Sequence, residues 1–146
     1  MLRWLKAWLF PGAAADAGSR GERLAAEWLQ RHRGYAVVTR NWRSPRDRRE
    51  EIDLICRDGE VVVFVEVKAR ASGALVPGYH AVDRRKKRVL RRAIETYLAQ
   101  LREKPRTFRF DVVEVGFTAT VPGATEVPPA ILHFENVPLF SKSFRA

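Results

Sequence analysis

Apolar and polar residues recur along this chain with two different periods, and each change of period marks an element. Over residues 19–33, Leu24, Ala25, Trp28, Leu29 and His32 fall at helical spacing and predict a first helix with one buried stripe. Gly34 ends it, since glycine takes the left-handed stop conformation without a Cβ penalty. Residues 35–39 read as a short strand and 44–49, polar and basic around Pro45, as a loop. Two strands follow, 51–57 and 60–68, separated by Asp58-Gly59, a dipeptide suited to the positive φ of a tight hairpin turn. Residues 69–79 contain Gly73, Pro77 and Gly78 and read as a mobile loop. A long helix over 82–102 carries Val89, Leu90, Ala93, Ile94, Tyr97, Leu98 and Leu101 on one stripe. Arg84, Lys87, Arg88, Arg91 and Arg92 lie largely off it. Residues 107–115 predict another strand and 130–134 a weaker one.

The order is therefore α-β-β-β-α-β, with an optional last strand. A strand, a helix and a strand in succession favour a right-handed crossover into a parallel pair. The expected class is α/β, a mixed central sheet flanked by helices. No internal repeat is present. The Ala- and Gly-rich stretch 11–18 reads as a flexible connector. That divides the chain into an N-terminal segment (1–17), one domain (18–118) and a C-terminal extension (119–146).

The hairpin carries the candidate chemistry. With Asp58-Gly59 as the loop, Cys56 faces Val61, Asp53 faces Phe64 and Glu51 faces Glu66. Side chains alternate across a strand, so Ile52, Leu54, Cys56, Val61, Val63, Val65 and Val67 share an apolar face. The other face has Ile55, Val62 and Phe64 near the turn and Glu51, Asp53, Glu66 and Lys68 toward the open end. A one-residue slip would bury those charges among valines, so the register is strongly specified. Asp53 and Glu66 become diagonal neighbours, close enough to share an ion. Their repulsion can be relieved by a divalent cation, by a proton, or by Lys68 and nearby arginines. Oxygen ligands of this kind suit Mg²⁺ or Mn²⁺, which can activate a water and stabilise charge on a phosphate. Lys68 can hold that water or the developing charge. The alternative is a set of surface salt bridges at a strand end.

Composition narrows the partners. Of 146 residues, 27 are Lys or Arg and 17 Asp or Glu, giving a net charge of +10 that favours a polyanion, nucleic acid before an anionic membrane. Arg43 with the loop after it, and the basic face of the second helix, can follow a phosphate backbone. Cys56 is the single cysteine, which excludes an intramolecular disulfide and a Cys-rich zinc site and suits a reducing compartment. On the apolar face it reads as a buried, inert thiol. No run approaches a membrane span, and residues 1–10 lack the pattern of a secretory signal, so the expected location is the cytoplasm. Trp4 and Trp8 there can anchor a short amphipathic helix or dock on their own domain. His32, His80 and His133 show no ligand spacing and are expected to be structural or on the surface. Asp111 can support the site from the next strand or lie at the surface. Nucleophile-elbow, phosphate-loop and dinucleotide motifs are absent from the sequence.

At Glu51-Ile-Asp-Leu-Ile55 and Val63-Phe-Val-Glu-Val-Lys68 the chain resembles the YraN-like family of small bacterial proteins. That family is similar to restriction-endonuclease-fold nucleases of the PD-(D/E)xK type, and especially to archaeal Holliday-junction resolvases. The likeness runs roughly over 18–115 and includes Gly21-Glu22, Gly34-Tyr35, Arg40-Asn41, Ala81-Val82 with Lys86, and Arg109-Phe-Asp111. It implies a metal-dependent endonuclease acting on DNA, branched or flap structures among its substrates. Asp53 and Glu66 then correspond to metal ligands and Lys68 to the catalytic lysine. Glu22 corresponds to a first-helix glutamate that helps hold metal-bound water, and Lys86 to a basic residue touching phosphate. Junction resolvases work as dimers because two strands are cut symmetrically, so a homodimer is also implied. Two departures stand out: Ile52 replaces the proline of the motif's name, and Glu50 stands where the family usually has glycine.

Overall fold

The computed structural model describes residues 11–71, 82–119, 121–142 and 144. Helix α1 (Pro11–Trp28) continues into a single wider π turn, Leu29–Arg33. Strands β1 (Ala36–Arg43), β2 (Glu51–Asp58) and β3 (Val61–Ala71) follow, then helix α2 (Arg84–Gln100), β4 (Phe108–Phe117) and β5 (Ala130–Phe134). The five strands form one sheet in sequence order. β1–β2, β2–β3 and β4–β5 pair antiparallel, while β3–β4, joined through α2, pair parallel. The fold is α/β with a mixed sheet, as the strand–helix–strand pattern predicts.

A buried cluster lies on each face of the sheet. Ala25, Ala26 and Leu29 pack with Tyr35, Leu54, Cys56, Val63, Val65, Val67, Val113 and Val115. Leu90, Ala93, Ile94 and Leu98 of α2 pack with Ile52, Ile55, Val62, Phe64, Phe110 and Val112. Both faces of β2 and β3 are thus covered, which explains their nearly continuous apolar runs.

Several expectations shift in detail. α1 begins at Pro11 rather than Ser19, so the proposed connector is helical over the described residues. Proline suits a first helical position, and the alanines that follow are strong helix formers. Gly34 stops the helix as expected, at φ 68°, with its N–H on Leu29 O. The hairpin turn is Gly59-Glu60, because Asp58 pairs with Val61 and Cys56 with Val63. Gly59 carries the positive φ, 58°. The register is displaced by two positions, so Asp53 does not face Phe64. An even displacement preserves which face each side chain occupies. Alternation fails at one place: Ile52 joins the α2 cluster instead of the face of Leu54 and Cys56. The β2–β3 pairing ends at Leu54↔Val65, and the next polar link is Val67 N–H donating to Asp53 Oδ2 at 2.8 Å. β3 continues through Ala71, so the loop expected from residue 69 starts later, and most of it, with His80, lies outside the described residues, as do Trp4 and Trp8.

Gly21 sets the approach of α1 to the sheet. A Cβ there would lie 2.9 Å from Ala69 Cβ, closer than packed carbons tolerate. Glycine therefore lets α1 settle onto the end of β3.

Candidate active site

Asp53 and Glu66 sit on neighbouring strands, and the observed β2–β3 register, carried one step further, sets them opposite each other. Both are buried, at 8% and 2% exposure. Lys68, two residues beyond Glu66 on the same face, is 8% exposed, and its Nζ donates to Glu66 Oε1 at 2.9 Å. The fourth member comes from α2. Asp83 caps that helix by accepting the Lys86 N–H at 2.8 Å, and Lys86 Nζ reaches Glu66 Oε1 at 3.3 Å. The family resemblance implies a phosphate contact for Lys86; in the structure its ammonium is turned to the Glu66 carboxylate. Its signal was the spacing, because Lys86 precedes Leu90 by one helical repeat and so lies on the inward stripe.

The electrostatics of the two acids diverge. Burial, and next the Glu66 carboxylate beside it, push the Asp53 carboxyl well above the ordinary carboxylate range. Burial works in the same direction on Glu66, but the Lys86 and Lys68 ammoniums outweigh it and hold its carboxyl below that range. Burial opposes the charge of Lys86, and Glu66 and Asp53 overcome it, so the Lys86 ammonium is held more firmly than usual. Glu66 Oε2 is buried without a hydrogen-bond partner. An orphaned carboxylate oxygen beside a desolvated carboxyl fits the needs of a hard, oxygen-seeking cation. Among the described residues no group of three or more His, Cys, Asp or Glu side chains is placed to hold a metal ion.

The other expected residues take varied positions. Glu22, half-buried on α1, is close enough to contribute to the upward push on Asp53. It lines a cleft of about 370 Å³ with Ser19, Arg20, Arg23, Arg40 and Asn41. Arg43 lies on β1 opposite Glu51 and pairs with it at 3.5 Å. Arg84 and Arg88 are exposed on α2 and Lys87 is half-buried. Asp111 is neither at the site nor at the surface. It is fully buried on the α1 face, bonded by Arg109 Nε at 3.0 Å, His133 Nε2 at 2.8 Å and the Asn136 N–H at 2.9 Å. Cys56 is buried, and burial pushes its thiol up to about 12. No described helix is long and apolar enough to cross a membrane.

Fold and cluster together define an α/β protein with a mixed sheet, compatible with a nuclease-like core, that gathers two acids and a lysine from its central strands with a second lysine from α2. The chain belongs to the uncharacterised protein family UPF0102, whose family model matches residues 21–115. A UPF0102 protein of Geobacter metallireducens is 42% identical over 113 residues, covering 77% of this chain and 89% of the relative. Another, of Beutenbergia cavernae, is 48% identical over 103 residues, covering 70% and 84%. The similar protein of Symbiobacterium thermophilum is 47% identical over 98 residues, covering 67% and 80%.

Proposed function

We propose that this protein is a Mg²⁺- or Mn²⁺-dependent endonuclease that hydrolyses phosphodiester bonds in DNA, with branched or flap structures among its substrates. The observation that carries this reading is the buried pair Asp53 and Glu66, one desolvated and one with an orphaned oxygen, flanked by Lys68 and Lys86. Asp53 and Glu66 would hold the cation, whose charge would polarise the phosphate and make a bound water more acidic. Val67 N–H fixes Asp53 Oδ2, so one ligand is oriented before anything binds. The Lys68 ammonium donates hydrogen bonds toward the attacking water or a phosphoryl oxygen. Glu22 helps orient water from the α1 side. Arg20, Arg23 and Arg40 in the adjoining cleft, with Arg84, Lys87 and Arg88 on α2, attract the phosphate backbone. The single reduced cysteine accords with action in the cytoplasm, and symmetric cutting of a junction would call for a homodimer.

The test is cleavage of labelled linear, flap and four-way-junction DNA with Mn²⁺, comparing wild type with Asp53→Ala and Lys68→Ala. Each substitution is expected to lower the rate at least about 100-fold. Equal residual activity in all three proteins would sink the catalytic assignment. One observation favours a second reading, a non-catalytic nucleic-acid-binding module that keeps the fold. Lys68 and Lys86 already neutralise Glu66 without a cation. Strongly salt-dependent DNA binding, with no heat of Mn²⁺ binding in calorimetry, would favour that module.

A further inference from the structure

Four buried side-chain polar atoms among the described residues have no hydrogen-bond partner: Glu66 Oε2, Arg70 Nε, and both Glu114 oxygens. They are not scattered. Glu66, Lys68 and Arg70 alternate along β3 and so share the face turned to α2. Glu114 stands beside Lys68 in the parallel β3–β4 register, and its strand neighbour Val112 packs in the α2 cluster. The unsatisfied polarity of the described chain is therefore gathered in one patch around Lys68.

Glu114 is the extreme member. It is fully shielded from solvent, yet neither oxygen accepts a hydrogen bond. Such a carboxylate is costly in this state. Burial accordingly raises its carboxyl above the ordinary range, with the Arg70 guanidinium pulling the other way. The cost is recovered if another state of the site pairs it.

Lys68 is the group that needs such a state. Without a cation its ammonium is bonded to Glu66 Oε1. A divalent cation between Asp53 and Glu66 would claim the Glu66 oxygens and repel that ammonium. Neighbouring strands stand about 4.8 Å apart, well within the sweep of a lysine side chain. We propose that Glu114 is a positioning residue for Lys68: when a divalent cation occupies the Asp53–Glu66 pair, the Lys68 ammonium moves from Glu66 to Glu114. The second Glu114 oxygen remains for Arg70 Nε. The displaced lysine is thereby held beside the site instead of being released. This inference rests on the metal-dependent reading above.

A double-mutant cycle on cation affinity tests it, read by Mn²⁺ calorimetry on the full chain without DNA. Glu114→Gln, which keeps shape and volume, is expected to weaken Mn²⁺ binding about tenfold. In a Lys68→Met background, where no ammonium needs rehousing, the same change is expected to have no effect. An equal loss in both backgrounds would make Glu114 a direct ligand and overturn the proposal, as would no loss in either or no Mn²⁺ binding by wild type. A second readout needs no buried substitution at Glu114. In lysine labelled with ¹³C at Cε, the resonance assigned through Lys68→Met is expected to shift with Mg²⁺ and saturate; a stationary resonance would also overturn the proposal. Coupling without DNA cleavage would remove the nuclease reading alone. Cleavage without coupling would remove the role of Glu114 alone.

Discussion

The sheet buries two groups of charged side chains, one on each face, and they are built on opposite plans. On the α1 face Asp111 uses both oxygens: Oδ1 accepts from Arg109 Nε and the Asn136 N–H, and Oδ2 lies against His133 Nε2. Arg109 in turn bonds Asp58 and the Tyr35 hydroxyl. On the α2 face, Asp53, Glu66 and Glu114 share one region with Lys68 and Lys86, and three carboxylate oxygens there are buried without a partner. A fully bonded buried network rigidifies a fold, whereas a partly bonded one stores a demand for something else. The difference teaches that burial of charge alone does not single out the proposed site; incomplete bonding does.

The comparison breaks most readily at Asp111. Asp111→Ala leaves Arg109, His133 and the Asn136 N–H facing an empty space, and is expected to cost about 3–5 kcal/mol in urea unfolding. The surrounding donors, acting against burial, hold the Asp111 carboxyl below its ordinary range. Its contribution is therefore present above the unfolded-state value near about 4 and fades as pH falls through the lower folded value. Wild type should lose stability in acid more steeply than Asp111→Asn. Equal stability of the two at pH 7 would refute the structural role.

Asp53→Asn should behave in the contrary way, measured in EDTA. The folded protein raises the Asp53 carboxyl, so its ionised form is a cost that grows as pH rises from about 4 through the folded value. The variant is expected to match wild type or exceed it by up to about 1 kcal/mol at pH 8. That advantage should vanish below the unfolded-state value, where the acid is protonated in both states. A loss as large as that at Asp111 would erase the contrast. The smallest effect concerns Cys56. With its thiol pushed to about 12 by burial, it should resist alkylation at pH 8 until the chain unfolds. Rapid labelling of the native protein would show that the α1 face is less closed than described.

Much of this was legible in the chain. Helix, strand and crossover order follow from period and length, and the two faces of the hairpin hold, Ile52 apart, although the turn lies one residue later, because the register shifts by two and only parity decides the faces. The facing of Asp53 with Phe64 and of Glu51 with Glu66 did not survive, since it depends on the register itself, and the observed register brings Asp53 and Glu66 from diagonal to opposite positions. The inward turn of Lys86 is readable from its helical spacing to Leu90, whereas the family resemblance points it to phosphate instead. Glu114 stands in the run Val112-Val113-Glu114-Val115, where a lone acid amid valines signals a buried carboxylate. Asp111 was the least readable. Its partners His133 and Asn136 come from β5 and the turn after it, and no local pattern announces so distant a pairing.

The contact between Gly21 and Ala69 has a consequence for how such chains can change. The two positions share one volume, and that volume fixes where Glu22, the next residue, stands over the strand ends. A methyl added at Gly21 alone would lever the helix outward and carry Glu22 with it. Shrinking residue 69 to glycine at the same time would restore the space. Drift at these two sites is therefore expected to be concerted, with the small residue free to change sides while the sum of the two stays constant.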